Sequence, residues 1–410
     1  MAQGFEFAKE RYAEWGVDVE AALRRLEGVR VSMHCWQGDD VGGFENPEAG
    51  LGGGLAVTGN APGKARTIDE LRADLETAFS LIPGRHRLNL HAIYGDFGPR
   101  PVPRDEIGPE HFRSWVEWCR ERGLGLDFNA TLFSHPLAQD GYTLSHPDPQ
   151  VRKFWIGHVR RCREIASGFA RELQGGSVHN LWIPDGAKDD TVERLPFRER
   201  LKESLDAIYD GRLDGLTDAV ESKLFGIGSE AFVVGSHEFY LAYAMRKGLV
   251  LCLDMGHFHP TESVADKVSA LAPFLPGLLF HVSRGVRWDS DHVVTATDEV
   301  RLLAREIVRA GLLDRCHLAL DYFDASINRV GAWVIGMRSF LRTLLEALLE
   351  PLDRLRQAEG FERLALQEEA KALPIGPVWD EYCERQGVPP GGRWTAKVRE
   401  YEARVLLRRG

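Results

Sequence analysis

The sequence predicts an α/β protein of the (β/α)8 TIM-barrel class, and three observations lead there. Short apolar runs alternate with longer helix-patterned segments along most of the chain. There are eight such runs, each followed by a helical segment, which is the number that closes a parallel barrel. The open doubly wound sheet shares this rhythm, but no Gly-rich phosphate-binding turn follows the first run.

A helical segment near residues 4–27 comes first and is expected to cap the barrel. The strands then read VSMHCW (31–36), RLNLHAIY (87–94), GLDFNATLF (125–133), SVHNLWIP (177–184), DAVESKLF (218–225), VLCLDMGHF (250–258), LLFHVSR (278–284) and HLALDYFD (317–324). Amphipathic helices are expected between them near 67–82, 109–122, 149–173, 194–211, 236–247, 261–272 and 297–313, with 327–349 after the last. The link from Gln37 to about Lys64 is long and rich in glycine. It leaves the C-terminal end of its strand, where barrel active sites lie, so it reads as a lid; a plain surface loop is the alternative. Beyond about residue 350 only charged helical segments follow. The expected division is a catalytic barrel with its N-terminal helix over 1–349 and a helical extension over 350–410 that packs on its own barrel or on another subunit.

Lys and Arg number 51 against 61 Asp and Glu, a net charge of −10, so a polyanion would meet repulsion and no nucleic-acid partner is expected. No membrane partner is expected either, since the first residues lack a signal pattern and no apolar stretch is long enough to span a bilayer. Six scattered cysteines, without close pairs, suit a reducing cytoplasm.

The chemistry lies in ionisable residues set in apolar strands, where a charge is costly unless paired or bound to a cation. Glu221 and Lys223 are two apart on the fifth run and would share a face; Asp254 and His257 on the sixth are three apart and both turn inward only if the strand ends or bulges near Gly256. His281 lies on the seventh run, Asp321 on the eighth, and Asp289 and Asp291 in the WDSDH segment between them. Five carboxylates and two imidazoles from consecutive strand ends suit Mn²⁺, Mg²⁺ or Co²⁺ and tolerate Zn²⁺. Seven ligands exceed the needs of one ion, so two divalent ions per subunit are expected. Singly, a strand-end Asp is more often a turn former and a core His merely hydrogen-bonded; the cluster makes the metal reading the economical one. His259, Asp185 and Asp324 read as turn, capping or supporting residues. The first four runs add Trp36, His91, Asn129, Phe133 and Trp182, an aromatic and polar set suited to a sugar's C–H face and hydroxyls, although core packing explains any one tryptophan as well.

The strings MHCWQGDDVGGFENP, GNAPGKAR, RLNLHAIY, NLWIPDGAKD, AVESKLFGIGSE, LDMGHFHPTE, HVSRGVRWDSDHVV and LDYFDASINRVGAWVIG closely resemble the L-rhamnose isomerase family, nearly from end to end. The resemblance implies a xylose isomerase-like barrel in a cytoplasmic homotetramer. The implied activity is a Mn²⁺-dependent conversion of L-rhamnose to L-rhamnulose, the first step of rhamnose catabolism. It implies that His257, Asp289 and Asp291 hold the catalytic ion and Glu221, Asp254, His281 and Asp321 its neighbour, with some ligands shared. Lys223 would lie near the substrate carbonyl. The catalytic set is then Lys223, His257, Asp289, Asp291 and Asp321, and the substrate contacts are Trp36, His91, Phe133, Trp182 and Lys223. A hydride shift between C2 and C1 of the open-chain sugar is the favoured route and an enediol the rival. Two other classes fit the residues less well: a metal-dependent hydrolase or nuclease, disfavoured by the acidic balance, and a non-catalytic sugar binder, which would not need two ions.

Overall fold

The computed structural model describes residues 2–38, 42–45, 59–98, 101–223, 229, 231–259, 261–286 and 292–409. Eight parallel strands close a barrel: β1 (Val31–His34), β2 (Arg87–His91), β3 (Gly125–Asn129), β4 (Ser177–Leu181), β5 (Leu216–Glu221), β6 (Val250–Asp254), β7 (Leu278–Val282) and β8 (Cys316–Leu320). Each pairs with its neighbour in sequence, and β8 closes on β1 through Val31 beside Leu318.

Most strands are buried along most of their length because helices cover the sheet outside and side chains fill it within, which is why they read as apolar runs. The strands stop two to four residues before the apolar runs do. Among the described residues, the overhang is largely buried or half-buried at the C-terminal ends of the strands without belonging to the sheet. A short antiparallel ribbon, Gly186–Ala187 with Phe232–Val233, lies outside the barrel; two residues per strand leave no periodic signal.

Several helices begin where a side chain caps them. Thr67, Asp148 and Thr297 accept from backbone N–H groups of the first turns of Ile68–Phe79, Pro149–Leu173 and Asp298–Arg309. The single N-terminal helix expected over 4–27 is instead two, Ala2–Ala13 and Val19–Glu27. Gly16 at φ +78° breaks the first, and Asp18 caps the second by accepting from Ala21 N–H at 2.9 Å. After helix Arg329–Leu348 the chain is helical at Leu352–Gln357, Gly360–Ala370, Ile375–Arg385 and Trp394–Arg404. Val378, Tyr382, Val398, Tyr401 and Leu406 from this stretch join the same core as Phe5, Tyr12 and the barrel helices.

Of the expected lid, residues 39–41 and 46–58 lie outside the described residues. Its described parts are tied down. Phe44 N–H donates to Ile93 C=O at 2.8 Å, and Ala61 N–H to Ala325 C=O at 2.8 Å. Gly59, at φ +115°, lies so close to Ala325 that a Cβ would sit 2.3 Å from its carbonyl carbon, so only glycine fits this crossing.

Candidate metal centre and its aromatic wall

Register sets the acidic cluster. Glu221, the last residue of β5, pairs with Cys252 on β6; Asp254, two residues further, pairs with His281 on β7. All three side chains therefore gather at the C-terminal mouth. Asp321 follows the end of β8, its N–H donating to Val282 C=O at 3.2 Å. One donor atom from each of Glu221, Asp254, His281 and Asp321 lies within 4.8 Å of the others. His281 Nδ1 is the hub, 3.1 Å from Asp321 Oδ2, 3.3 Å from Glu221 Oε2 and 3.7 Å from Asp254 Oδ2.

The carboxylates are held from behind. Trp36 Nε1–H donates to Asp321 Oδ1 at 3.0 Å and Gly256 N–H to Asp254 Oδ1 at 2.6 Å, which leaves each Oδ2 facing His281. Asn180 Nδ2–H donates to Glu221 Oε2. The chain turns as soon as β6 ends at Asp254, with His257 N–H on Asp254 C=O, and this brings His257 Nδ1 to 3.2 Å from Glu221 Oε1. Glu221 thus spans two imidazoles, one oxygen toward each. Asp289 and Asp291 lie outside the described residues.

The electrostatics show how strongly the cluster favours added positive charge. Burial, with Glu221 and Asp321 as like-charged neighbours, pushes the Asp254 carboxyl up to about 8 against the pull of His257 and His281. Burial also opposes ionisation of Glu221 and Asp321, but the histidines outweigh it and hold both below the usual carboxylate range. Burial disfavours the His281 imidazolium too, yet Cys252, Glu221 and Asp321 raise its proton affinity above the ordinary value. Without a cation, three buried carboxylates persist only by keeping protons on Asp254 and His281. His281 Nδ1 has no aligned hydrogen bond despite its carboxylate neighbours. An oxygen-rich donor set with one imidazole, its carboxylate oxygens converging within 4.8 Å, fits a divalent cation, which would replace both protons.

Opposite the acids runs a line of aromatic side chains from β1 to β4. Trp36 meets His91 edge-on at 4.7 Å between centroids, His91 meets Phe133 at 5.5 Å and Phe133 meets Trp182 at 5.9 Å. Lys223 Nζ closes the row 5.3 Å from the Trp182 ring centroid. Lys223 does not share a strand face with Glu221, because β5 ends at Glu221; its N–H donates to Gly235 C=O at 3.1 Å beyond the strand. His91 Nδ1 lies 3.0 Å from Thr131 Oγ1, and burial pushes its pKa down to about 3, so it is a neutral imidazole.

Several supporting residues carry weak sequence signals. His34 is fully buried, 3.3 Å from Gln37 Oε1 through Nε2 and 4.4 Å from the Tyr322 ring. Gln37 Nε2–H donates to Asp324 C=O at 2.6 Å, and Asp324 Oδ2 lies 3.0 Å from His292 Nδ1. Asp185 accepts from the N–H and hydroxyl groups of both Thr143 and Ser145, pinning one mouth loop to another. His259 serves a turn, with Thr261 N–H donating to its Nδ1 at 3.2 Å. Asn129 does not reach the mouth: its Nδ2–H donates to Asn89 Oδ1 at 3.3 Å inside the barrel. Neutral polar residues in strands usually satisfy one another, so composition gave no reason to single out Asn180 or His34.

Residues 1–409 match the family described as L-rhamnose isomerase (RhaA). The chain belongs to the L-rhamnose isomerase family. It is accordingly an enzyme, an aldose–ketose isomerase. L-rhamnose isomerases of Salmonella paratyphi B and Salmonella heidelberg are 57% identical to it over 415 residues, covering 100% of this chain and 99% of theirs. Solved structures resemble it more loosely. A xylose isomerase domain protein from Alicyclobacillus acidocaldarius has 12% identity and a TM-score of 0.44 over 78% of this chain and 99% of its own. D-psicose 3-epimerase has 12% identity and a TM-score of 0.40 over 67% and 88%. No helix among the described residues is long and apolar enough to cross a membrane.

Proposed function

We propose that the enzyme converts L-rhamnose to L-rhamnulose with Mn²⁺ or a similar divalent ion, by a hydride shift between C2 and C1 of the open-chain sugar. The observation that carries this is the buried Glu221, Asp254, His281 and Asp321 cluster facing a wall of Trp36, His91, Phe133 and Trp182 that ends on Lys223. Glu221, Asp254, His281 and Asp321 would hold one ion and His257, Asp289 and Asp291 a second, with Glu221 the natural shared ligand. When bound, the cations supply Lewis-acid polarisation of the sugar's O1 and O2.

The protein's own side chains do the rest. The wall presents ring edges and faces to the sugar's C–H surface and keeps water from C1 and C2, as a hydride shift requires. The Lys223 ammonium donates a hydrogen bond to O1 as negative charge grows there. Neutral His91 can hold a hydroxyl without adding charge.

A ketose assay with L-rhamnose, L-mannose, L-lyxose and D-allose, with Mn²⁺ added and after exhaustive EDTA treatment, tests the substrate and the metal together. L-Rhamnose should be the best substrate and chelated protein inert until Mn²⁺ is restored; full turnover after chelation would overturn the metal reading. Deuterium from solvent at C1 of the product would overturn the hydride shift in favour of an enediol.

We also infer a cytoplasmic homotetramer, with 1–349 as the catalytic body and 350–410 as an extension that serves assembly. Helix Gly360–Ala370 supports this: none of its residues is buried, and Phe361 is 89% exposed. Light scattering of Phe361→Glu should give a mass below that of the unaltered assembly.

A further inference from the structure

The interior of the barrel is not uniformly apolar. Under the acidic cluster, Val178, Ala219, Val250, Cys252, Leu279 and Ala319 form a small apolar group of their own. On the β1 to β3 side, and at Asn180 on β4, the inward positions are polar, where barrels usually carry branched aliphatic layers. Ser32 Oγ–H donates to Asp127 Oδ2 at 2.6 Å, and Asn89, Asn129 and Asn180 rise above them toward the mouth.

A cavity of about 260 Å³ enters this polar half from the N-terminal face, opposite the metal centre, and reaches Asn129, Asn180 and His281. Its inner end is lined by residues that carry unpaired polar atoms. Asn129 Oδ1, Asn180 Oδ1 and His281 Nε2 have no hydrogen-bond partner, in residues 4%, 3% and 1% exposed. Besides the carboxylates, the Cys252 thiol lies beside His281, its sulfur within 4.8 Å of an imidazole nitrogen. A buried polar atom left bare carries a desolvation penalty that a bound water removes. At roughly 30 Å³ per molecule the cavity has room for about eight or nine waters, and its walls offer the two to four polar partners that an internal water needs.

We propose that this cavity holds a chain of ordered waters running from the N-terminal face to His281 Nε2. Water would hold the proton on the far nitrogen of the imidazole whose near nitrogen faces the carboxylates. Histidines in metal centres generally give this proton to a carboxylate, a carbonyl or water. The back of the site would thereby reach solvent by a route separate from the sugar's entrance. The proposal rests on the cavity and its unpaired atoms and does not require the metal reading to hold.

The test is a high-resolution crystal structure of the full chain, prepared once with EDTA and once with Mn²⁺. Ordered waters within hydrogen-bond distance of Asn129 Oδ1, Asn180 Oδ1 and His281 Nε2 in both forms, continuous to the N-terminal face, would support the proposal. A dry cavity, or one closed by side chains, would overturn it. Absence of Mn²⁺ from the second crystal would count against the metal reading alone. In solution, oxygen-17 relaxation dispersion of Asn129→Leu, close in volume but apolar, should show about two fewer long-lived internal waters than the parent. An unchanged count would refute the chain, and the parent's crystal structure decides the matter if the variant does not fold.

Discussion

Asp254→Asn separates what the acidic cluster does for stability from what it does for metal binding, because the two effects have opposite signs. In the metal-free protein, burial and the neighbouring carboxylates raise Asp254 from an ordinary 3.8 to about 8. A raised carboxyl binds its proton more tightly when folded than when unfolded, so its contribution to stability falls as pH rises from about 4 to about 8. From 3.8 to pH 7, at about 1.36 kcal/mol per pH unit, the contribution lost is about 4 kcal/mol. Asparagine keeps the shape, can still accept from Gly256 N–H, and carries no charge. An unfolding entropy of about 2.1 cal/mol/K per residue over 410 residues makes 4 kcal/mol worth about 5 °C. The metal-free variant should therefore melt about 5 °C higher than its parent at pH 7. Mn²⁺ at a hundred times its Kd should raise the parent by about 2.7 kcal/mol, or about 3 °C, and the variant hardly at all. Thermal unfolding with EDTA and with Mn²⁺ measures both. A variant that melts lower than its parent in EDTA, or that keeps the full Mn²⁺ shift, would refute the reasoning.

Burial holds His86 down to about 4 and His158 to about 3. Each ring is fixed by backbone: Nε2 of His86 on Pro83 C=O, and Nδ1 of His158 on Arg104 C=O with Thr131 N–H on its Nε2. Depressed histidines stabilise the fold above about pH 6.5 and lose that contribution as pH falls toward 4, so each should cost about 2 kcal/mol at pH 5. Urea unfolding at pH 7 and pH 5 in the Asp254→Asn background, which removes the opposing titration of Asp254, reads this, and equal stability at the two pH values would contradict it. Gly336→Ala would place a Cβ 2.0 Å from Tyr322 Oη, displacing a ring that packs on His34 and follows Asp321. The expected loss is about 1–3 kcal/mol with lowered turnover, partly recovered by adding Tyr322→Phe; failure of the double variant to recover would place the damage elsewhere. Trp36→Phe removes the indole donor on Asp321 Oδ1 and should weaken Mn²⁺ binding about 10- to 100-fold by calorimetry. Unchanged affinity would argue that Asp321 is not a ligand.

The barrel is legible in the sequence because its strands are short and apolar, and their number, with no Gly-rich phosphate-binding turn after the first, selects closure. What the sequence misplaces has a common cause. A buried loop residue and a strand residue look alike in composition, so the runs extend past the sheet, and the Glu221 and Lys223 spacing read as a shared strand face where the strand had already ended. The N-terminal break depends on one glycine and one capping aspartate inside an otherwise continuous pattern. Among site residues, the acids and histidines stand out because a charge in an apolar strand demands an explanation. Asn180 and Gln37 do not, although one holds Glu221 and the other anchors the Asp324 turn.

The two halves of the barrel interior explain why the acids sit over β5 to β8 rather than over β1 to β4. The apolar floor of Val178, Ala219, Val250, Cys252, Leu279 and Ala319 lowers the local dielectric beneath Asp254 and Glu221, and a charge pair in such surroundings interacts more strongly than in water. The same floor that pushes Asp254 up in the absence of a cation would strengthen its hold on one, so the instability of the empty cluster and its affinity for an ion have one origin. Over the polar half, where Ser32, Asn89 and Asn129 line the cavity, carboxylates would be screened and a cation held less tightly. That half instead supports Trp36, His91, Phe133 and Trp182, whose contribution comes from shape and apolar contact and is insensitive to the dielectric beneath it.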